Sequence, residues 1–142
     1  MSLSLAKFKM TNITFNPADK KGPVIVMIGR RDTGKSILVR DLLYFHQDIP
    51  IGTVMSGTEA GNGFYSNLVP KIFVHDKYDT NVVNNILIRQ KSLAKQILND
   101  IKNSKKPTDP RTFVILDDCL YDDKWTRDSY MRELFMNGEC LP

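Results

Sequence analysis

Cysteine and histidine are scarce in this chain. Its 142 residues hold two of each, Cys119 with Cys140 and His46 with His75. They form no closely spaced set, so a zinc centre, which needs about four ligands, has no framework here. Two cysteines also cannot make a disulfide scaffold, and plain thiols are expected. Long apolar runs are missing too. No stretch approaches the roughly 20 residues needed to cross a bilayer. Met1 to Met10 has isolated apolar residues but no continuous run before a small-residue cleavage site. The expectation is an intracellular chain with no signal peptide and no membrane partner. Charge of one sign is weak: 20 Lys and Arg against 16 Asp and Glu, a net +4. Such a balance is compatible with a nucleic-acid partner without indicating one. What remains, 42% hydrophobic and 25% charged, is the composition of one globular domain with one core.

The pattern divides into an irregular polar extension, 1–22, and a domain over 23–142. Val24-Ile25-Val26-Met27-Ile28 is a short continuous β-branched run, which predicts a strand buried on both faces. Gly29 breaks it. From Ser36 to His46 the apolar spacing predicts a helix, and His46 suits its C-terminal end. Ile51–Met55 is a second strand, weakened by Gly52. Ser56 to Gly63, with three glycines, reads as a loop, and Ile72-Phe73-Val74 as a third, short strand. Asp79 or Thr80 caps a long helix carrying Val82, Val83, Ile86, Leu87, Leu93 and Ile97, ended by Lys105-Lys106-Pro107. Thr112–Leu116 is a strand. A last helix, about Lys124 to Met136, follows a cap at Asp122 or Asp123 and stops at Gly138. Trp125, Met131, Leu134 and Phe135 would be its core face. The alternation predicts an α/β layered sandwich with a mostly parallel sheet.

One motif carries chemistry by itself. Gly29-Arg30-Arg31-Asp32-Thr33-Gly34-Lys35-Ser36 follows the strand and opens the helix that continues with Ile37. Its glycines let the backbone turn tightly and approach phosphate oxygens. Successive N–H groups then form an anion-binding concavity, and the helix adds its positive end. Lys35 reaches the β- and γ-phosphates, and Ser36 offers a hydroxyl to Mg²⁺. The implied ligand is ATP with magnesium. Asp32 should point away from the phosphates or cap a backbone group, because a carboxylate would repel them. Arg30 and Arg31 read as solvent-facing loop residues, with contact to DNA or a neighbouring subunit as the alternative.

A second element is Phe113-Val114-Ile115-Leu116-Asp117-Asp118, an apolar strand that delivers two acids to the edge where α/β sheets bind ligands. Asp117 would hold the metal, and Asp118 would orient the attacking water.

The loop Gly29–Ser36, the Thr58-Glu59 segment with Phe64-Tyr65 and Pro70, the stretch Leu116-Asp117-Asp118-Cys119-Leu120-Tyr121-Asp122-Asp123-Lys124-Trp125, and Leu134-Phe135-Met136-Asn137-Gly138 together resemble the poxvirus-type virion DNA-packaging ATPases of the nucleocytoplasmic large DNA viruses. The resemblance runs from about Val24 to Gly138. It implies a three-layer P-loop ATPase of the ASCE type, akin to FtsK/HerA motors. Such an enzyme would work as a homo-oligomeric ring on double-stranded DNA, with capsid proteins as partners, in the host cytoplasm or virion. On that basis Lys35 and Ser36 match the Walker A ligands, Asp117 the Walker B metal ligand and Asp118 the catalytic acid, where many relatives carry Glu. The resemblance also implies a longer chain. Past Asn137-Gly138 the family continues with a basic residue, a sensor strand and any arginine finger, whereas this sequence has Glu139-Cys140-Leu141-Pro142. The expectation is a C-terminally truncated, incomplete core, in which the loop strand and the Asp117 strand either pair directly or lack a neighbour. Two alternatives stand beside the motor. One is a non-catalytic nucleotide-binding module. The other is a small P-loop kinase, weakened because no arginine cluster appears between Tyr65 and Asp100.

Overall fold

Two six-residue strands carry the sheet. β1 (Ile51–Ser56) and β3 (Thr112–Asp117) lie parallel, from Ile51 opposite Thr112 to Ser56 opposite Asp117. β2 (Val74–His75) pairs in parallel with Val54 and Met55 across the other side of β1. The strand order β2-β1-β3 puts β1 at the centre. The computed structural model behind this description covers residues 22–119 and 123–136. The 1–21 part of the N-terminal extension, Leu120-Tyr121-Asp122 and the 137–142 stretch, with the Gly138 stop and Cys140, lie outside the described residues.

The period-two alternation of a strand sends neighbouring side chains to opposite faces. Val54, Phe113 and Ile115 pack with Tyr65 and Val69, and Val39 and Leu43 of α1 (Lys35–Phe45) cover them. Met55, Val114 and Leu116 pack on the other face against Val83 of α3 (Thr80–Lys102) and Met131 of α5 (Ser129–Met136). Helices therefore cover both faces, as an all-parallel sheet requires. The chain is α/β with an all-parallel sheet, as its alternating pattern predicts.

The short connection from His46 to Pro50 returns the chain from the end of α1 to the start of β1. That connection ties the C-terminal end of α1 to the start of β1, away from the end of the sheet where β1 and β3 stop. At the opposite end, Arg111 fixes the entry to β3. Its guanidinium donates to both carboxylate oxygens of Asp109, at 2.7–3.0 Å, and to Asp48 Oδ2 at 2.6 Å. That fork joins the loops preceding β1 and β3, and it holds the Asp109 carboxyl below the usual carboxylate range.

Several expected elements take another form. Val24–Ile28 is not a strand: it has no ladder, and Val26 and Ile28 are 73% and 94% exposed. A continuous apolar run marks burial on both faces only if neighbours exist to bury it. Among the described residues no strand lies on the outer edge of β3, and the run does not pair there. Neither does it pack into the core; it stands over α1, enclosing a cleft of about 590 Å³ with Leu38 and Leu42. The loop read over Ser56–Gly63 contains the end of β1 and a one-turn helix, α2 (Glu59–Asn62). The third strand is shifted: Lys71–Phe73 is a 3₁₀ turn, and β2 follows it.

The last helix is two pieces, α4 (Lys124–Arg127) and α5, broken at Asp128. Asp128 Oδ1 accepts from the Tyr130 N–H at 2.8 Å, as a cap does, and that competes with helix continuation. Trp125 and Leu134 are partly buried and Met131 is buried, but Phe135 is 45% exposed and is not core. Asp79 caps α3 as expected, accepting from Asn81 N–H at 2.8 Å.

Candidate phosphate-binding site

The loop Gly29–Ser36 curls around its own lysine. Lys35 Nζ donates to the carbonyls of Gly29 at 2.9 Å and Arg30 at 2.7 Å. Thr33 Oγ1 donates to the Arg30 carbonyl at 2.7 Å, closing the turn. Two residues adopt left-handed backbone: Asp32 at φ +60° and Gly34 at φ +84°. That conformation at Gly34, just before α1, turns successive N–H groups toward one concavity. Gly29 is needed for a different reason, since a β-carbon there would lie 2.8 Å from Thr33 Oγ1. Arg30, Arg31 and Asp32 are exposed, Lys35 and Ser36 are half-buried, and Ile37 is 48% exposed.

Asp117 closes β3 opposite Ser56. The alternation that turns Phe113 and Ile115 toward α1 turns Asp117 the same way. Its Oδ2 accepts a 2.8 Å hydrogen bond from the hydroxyl of Tyr65, which is 1% exposed. Burial, reinforced by that bond, pushes the Tyr65 hydroxyl above its ordinary value of 10.0, so it stays a donor at any physiological pH. Asp118 is different. It is exposed, with φ +50°, a conformation that costs a non-glycine residue energy and occurs at functional turns. The turn depends on Gly57, whose N–H donates to the Asp117 carbonyl at 3.1 Å and whose β-carbon would meet the Asp118 carbonyl oxygen at 2.5 Å. Cys119 follows as a half-buried thiol donating to the Met55 carbonyl at 3.2 Å, with burial raising its pKa.

Beneath Tyr65 lies a buried carboxylate. Glu59 accepts from the Tyr65 N–H at 3.0 Å, the Ser66 N–H at 2.8 Å and the Ser66 hydroxyl at 2.6 Å. Burial pushes its pKa up, but these three donors outweigh burial and leave it below its ordinary 4.5. A carboxyl depressed in the folded state adds stability above its unfolded value and loses it as pH falls toward the folded one. Melts of the chain should therefore show stability declining as pH drops below 4.5. Glu59→Gln should cost about 1–3 kcal/mol at neutral pH and flatten that acid limb. Parallel acid limbs in the two proteins would show that Glu59 does not contribute.

The donor set suits a polyphosphate carrying one divalent cation. The α1 amides and Lys35 offer hydrogen and charge to anionic oxygens, while the Ser36 hydroxyl and the Asp117 carboxylate offer hard oxygen ligands. Among the described residues no group of three or more His, Cys, Asp or Glu converges. Magnesium bound with phosphates needs only one or two carboxylates. Strand parity thus turns Asp117 to the face of the sheet on which Val39 and Leu43 of α1 pack, and Asp118 lies in the exposed turn beyond. The run preceding the loop is not brought onto the sheet. Tyr65 and Glu59 had no chemical reading in the sequence. The available signal was their place in segments that carry the family resemblance, Thr58-Glu59 and Phe64-Tyr65.

The chain is similar to viral proteins. It is 39% identical over 118 residues to uncharacterized protein 075L of Invertebrate iridescent virus 6, covering 82% of this chain and 42% of that protein. It is 38% identical over 120 residues to uncharacterized protein L437 of Acanthamoeba polyphaga mimivirus, covering 82% and 41%. To uncharacterized protein 088R of Invertebrate iridescent virus 3 it is 32% identical over 143 residues, covering 96% and 51%. The chain thus spans about half or less of these curated relatives. No protein-family model and no solved structure matches it. No helix among the described residues is long and apolar enough to cross a membrane.

Proposed function

We propose that this chain is the ATP-binding portion of a P-loop motor that packages viral DNA into capsids. One observation carries the reading. The glycine loop opens α1 with Lys35 and Ser36 at its first turn, and Asp117 faces the α1 side at the end of β3. The viral origin of its relatives supports the biological setting.

In this reading Lys35 exchanges the carbonyls of Gly29 and Arg30 for β- and γ-phosphate oxygens, and the Gly34–Ile37 amides hold the remaining oxygens. Ser36 and Asp117 are the metal ligands. Bound magnesium supplies charge that offsets the build-up on the transferred phosphoryl group. Asp118, on its exposed turn, accepts a proton from the attacking water and orients it. Double-stranded DNA, capsid proteins and further copies of the chain in a ring are the proposed partners.

Hydrolysis of ATP with and without double-stranded DNA tests the proposal. DNA should stimulate the wild-type rate. Asp118→Asn should keep Mg-ATP binding but lose roughly 100-fold or more in turnover, the usual weight of a positioned general base. Equal DNA-independent rates in both proteins would refute the motor. A second reading, a nucleotide-binding module without turnover, is favoured by one observation: the run leading into the loop is off the sheet, so the loop is anchored on one side only. Tight binding of Mg-ATP with no hydrolysis would select it.

A further inference from the structure

We propose that Tyr65 is a positioning residue for the metal-binding carboxylate, acting through Asp117 and held in turn by Glu59; this rests on the reading of Asp117 as the magnesium ligand. A carboxylate at a strand end can rotate about its side-chain bonds and present either oxygen. Here the choice is made in advance. Tyr65 is buried and its hydroxyl donates to Oδ2, which leaves Oδ1 as the oxygen free of that bond. The two residues are 52 positions apart, so the bond is a product of the fold.

Tyr65 is itself immobilised from three directions. Its N–H and both donors of Ser66 converge on Glu59. Its carbonyl opens a 3₁₀ turn, Tyr65–Asn67, by accepting from the Leu68 and Val69 N–H groups, both at 2.9 Å. Its ring packs with Val54 and Val69 and meets Phe64 edge to face, with centroids 5.0 Å apart. A buried acid with three donors thus sets a backbone, the backbone sets a ring, and the ring sets one oxygen of Asp117. Groups that orient a metal ligand from behind commonly govern metal affinity by 10- to 100-fold on removal.

The test is the magnesium requirement of the full chain. Binding of a fluorescent ATP analogue is titrated with Mg²⁺, and again with EDTA in place of metal. For Tyr65→Phe, which keeps the ring, the Mg²⁺ concentration for half-maximal tight binding should rise roughly tenfold or more, with metal-free nucleotide affinity unchanged. A purely structural hydroxyl would lower the melting temperature and leave the magnesium midpoint where it was, and that result overturns the proposal. If Tyr65→Phe does not fold, Glu59→Gln keeps both partners of the Tyr65–Asp117 bond and loosens only the clamp. An unshifted midpoint in Glu59→Gln also overturns it. A wild-type chain whose nucleotide binding ignores magnesium overturns both this proposal and the function it rests on. A magnesium-dependent wild type with an indifferent Tyr65→Phe overturns this proposal alone.

Discussion

Lys35→Ala will bind Mg-ATP roughly 10- to 100-fold more weakly than the wild type. Lys35 Nζ sits 2.7–2.9 Å from two carbonyls of its own loop. Carbonyls are weaker partners for an ammonium than phosphate oxygens, so under the proposed function the lysine, held by its own loop, would be released to the nucleotide. A hydrogen bond to a charged group is worth about 1.5–3 kcal/mol, and each 1.4 kcal/mol is tenfold in affinity. Alanine removes that interaction and, in the free protein, two bonds that close the loop. Calorimetric titration reads the affinity directly. The chain should still fold, because Lys35 is half-buried at a helix start and touches neither core cluster. Wild-type affinity in a folded Lys35→Ala protein would remove the loop from the site.

Gly52→Ala will be among the most destabilising substitutions in the chain, by about 2–4 kcal/mol. Gly52 sits opposite Phe113 in the β1–β3 ladder, and the ring lies across it. A β-carbon at position 52 would fall 1.9 Å from Cζ of that ring. The ring must then leave the cluster of Val54, Tyr65 and Val69, or the strands must separate. Chemical denaturation measures the loss. Phe113→Leu in the Gly52→Ala background should recover part of it, and a double-mutant cycle would give the coupling. Additive effects of the two substitutions would show that the ring and the glycine do not interlock. In the sequence Gly52 looked like a weakness in a strand. In the fold it is the space that Phe113 occupies.

The legible parts of the molecule are the local ones. The turn into α1 could be read because its glycines and its helix start lie within one short stretch, Gly29 to Ser36. The helix over Thr80–Lys102 could be read because its apolar spacing repeats over many turns. The place of Asp117 at the end of its strand could be read because the apolar run Phe113–Leu116 stops there. Three features were not legible, for distinct reasons. Val24–Ile28 has the composition of a buried strand, but composition cannot supply the neighbouring strand that burial requires. The break at Asp128 arises because its carboxylate accepts from the Tyr130 N–H and also from the Tyr78 hydroxyl, 50 residues away. Tyr65 gains its meaning only from Asp117 and Glu59, and no local pattern marks a tyrosine whose hydroxyl will meet an acid across the fold.

The apolar run before the loop has one more consequence. Lys35 belongs to α1 and Asp117 to the sheet, and among the described residues the run before the loop pairs with no strand of that sheet. Under the proposed function, a nucleotide held by Lys35 at one end and Asp117 at the other would therefore also brace two parts of the protein. Its occupancy and the rigidity of the loop become a single thermodynamic quantity, each raising the other. In that reading the nucleotide would be a structural member as well as a fuel.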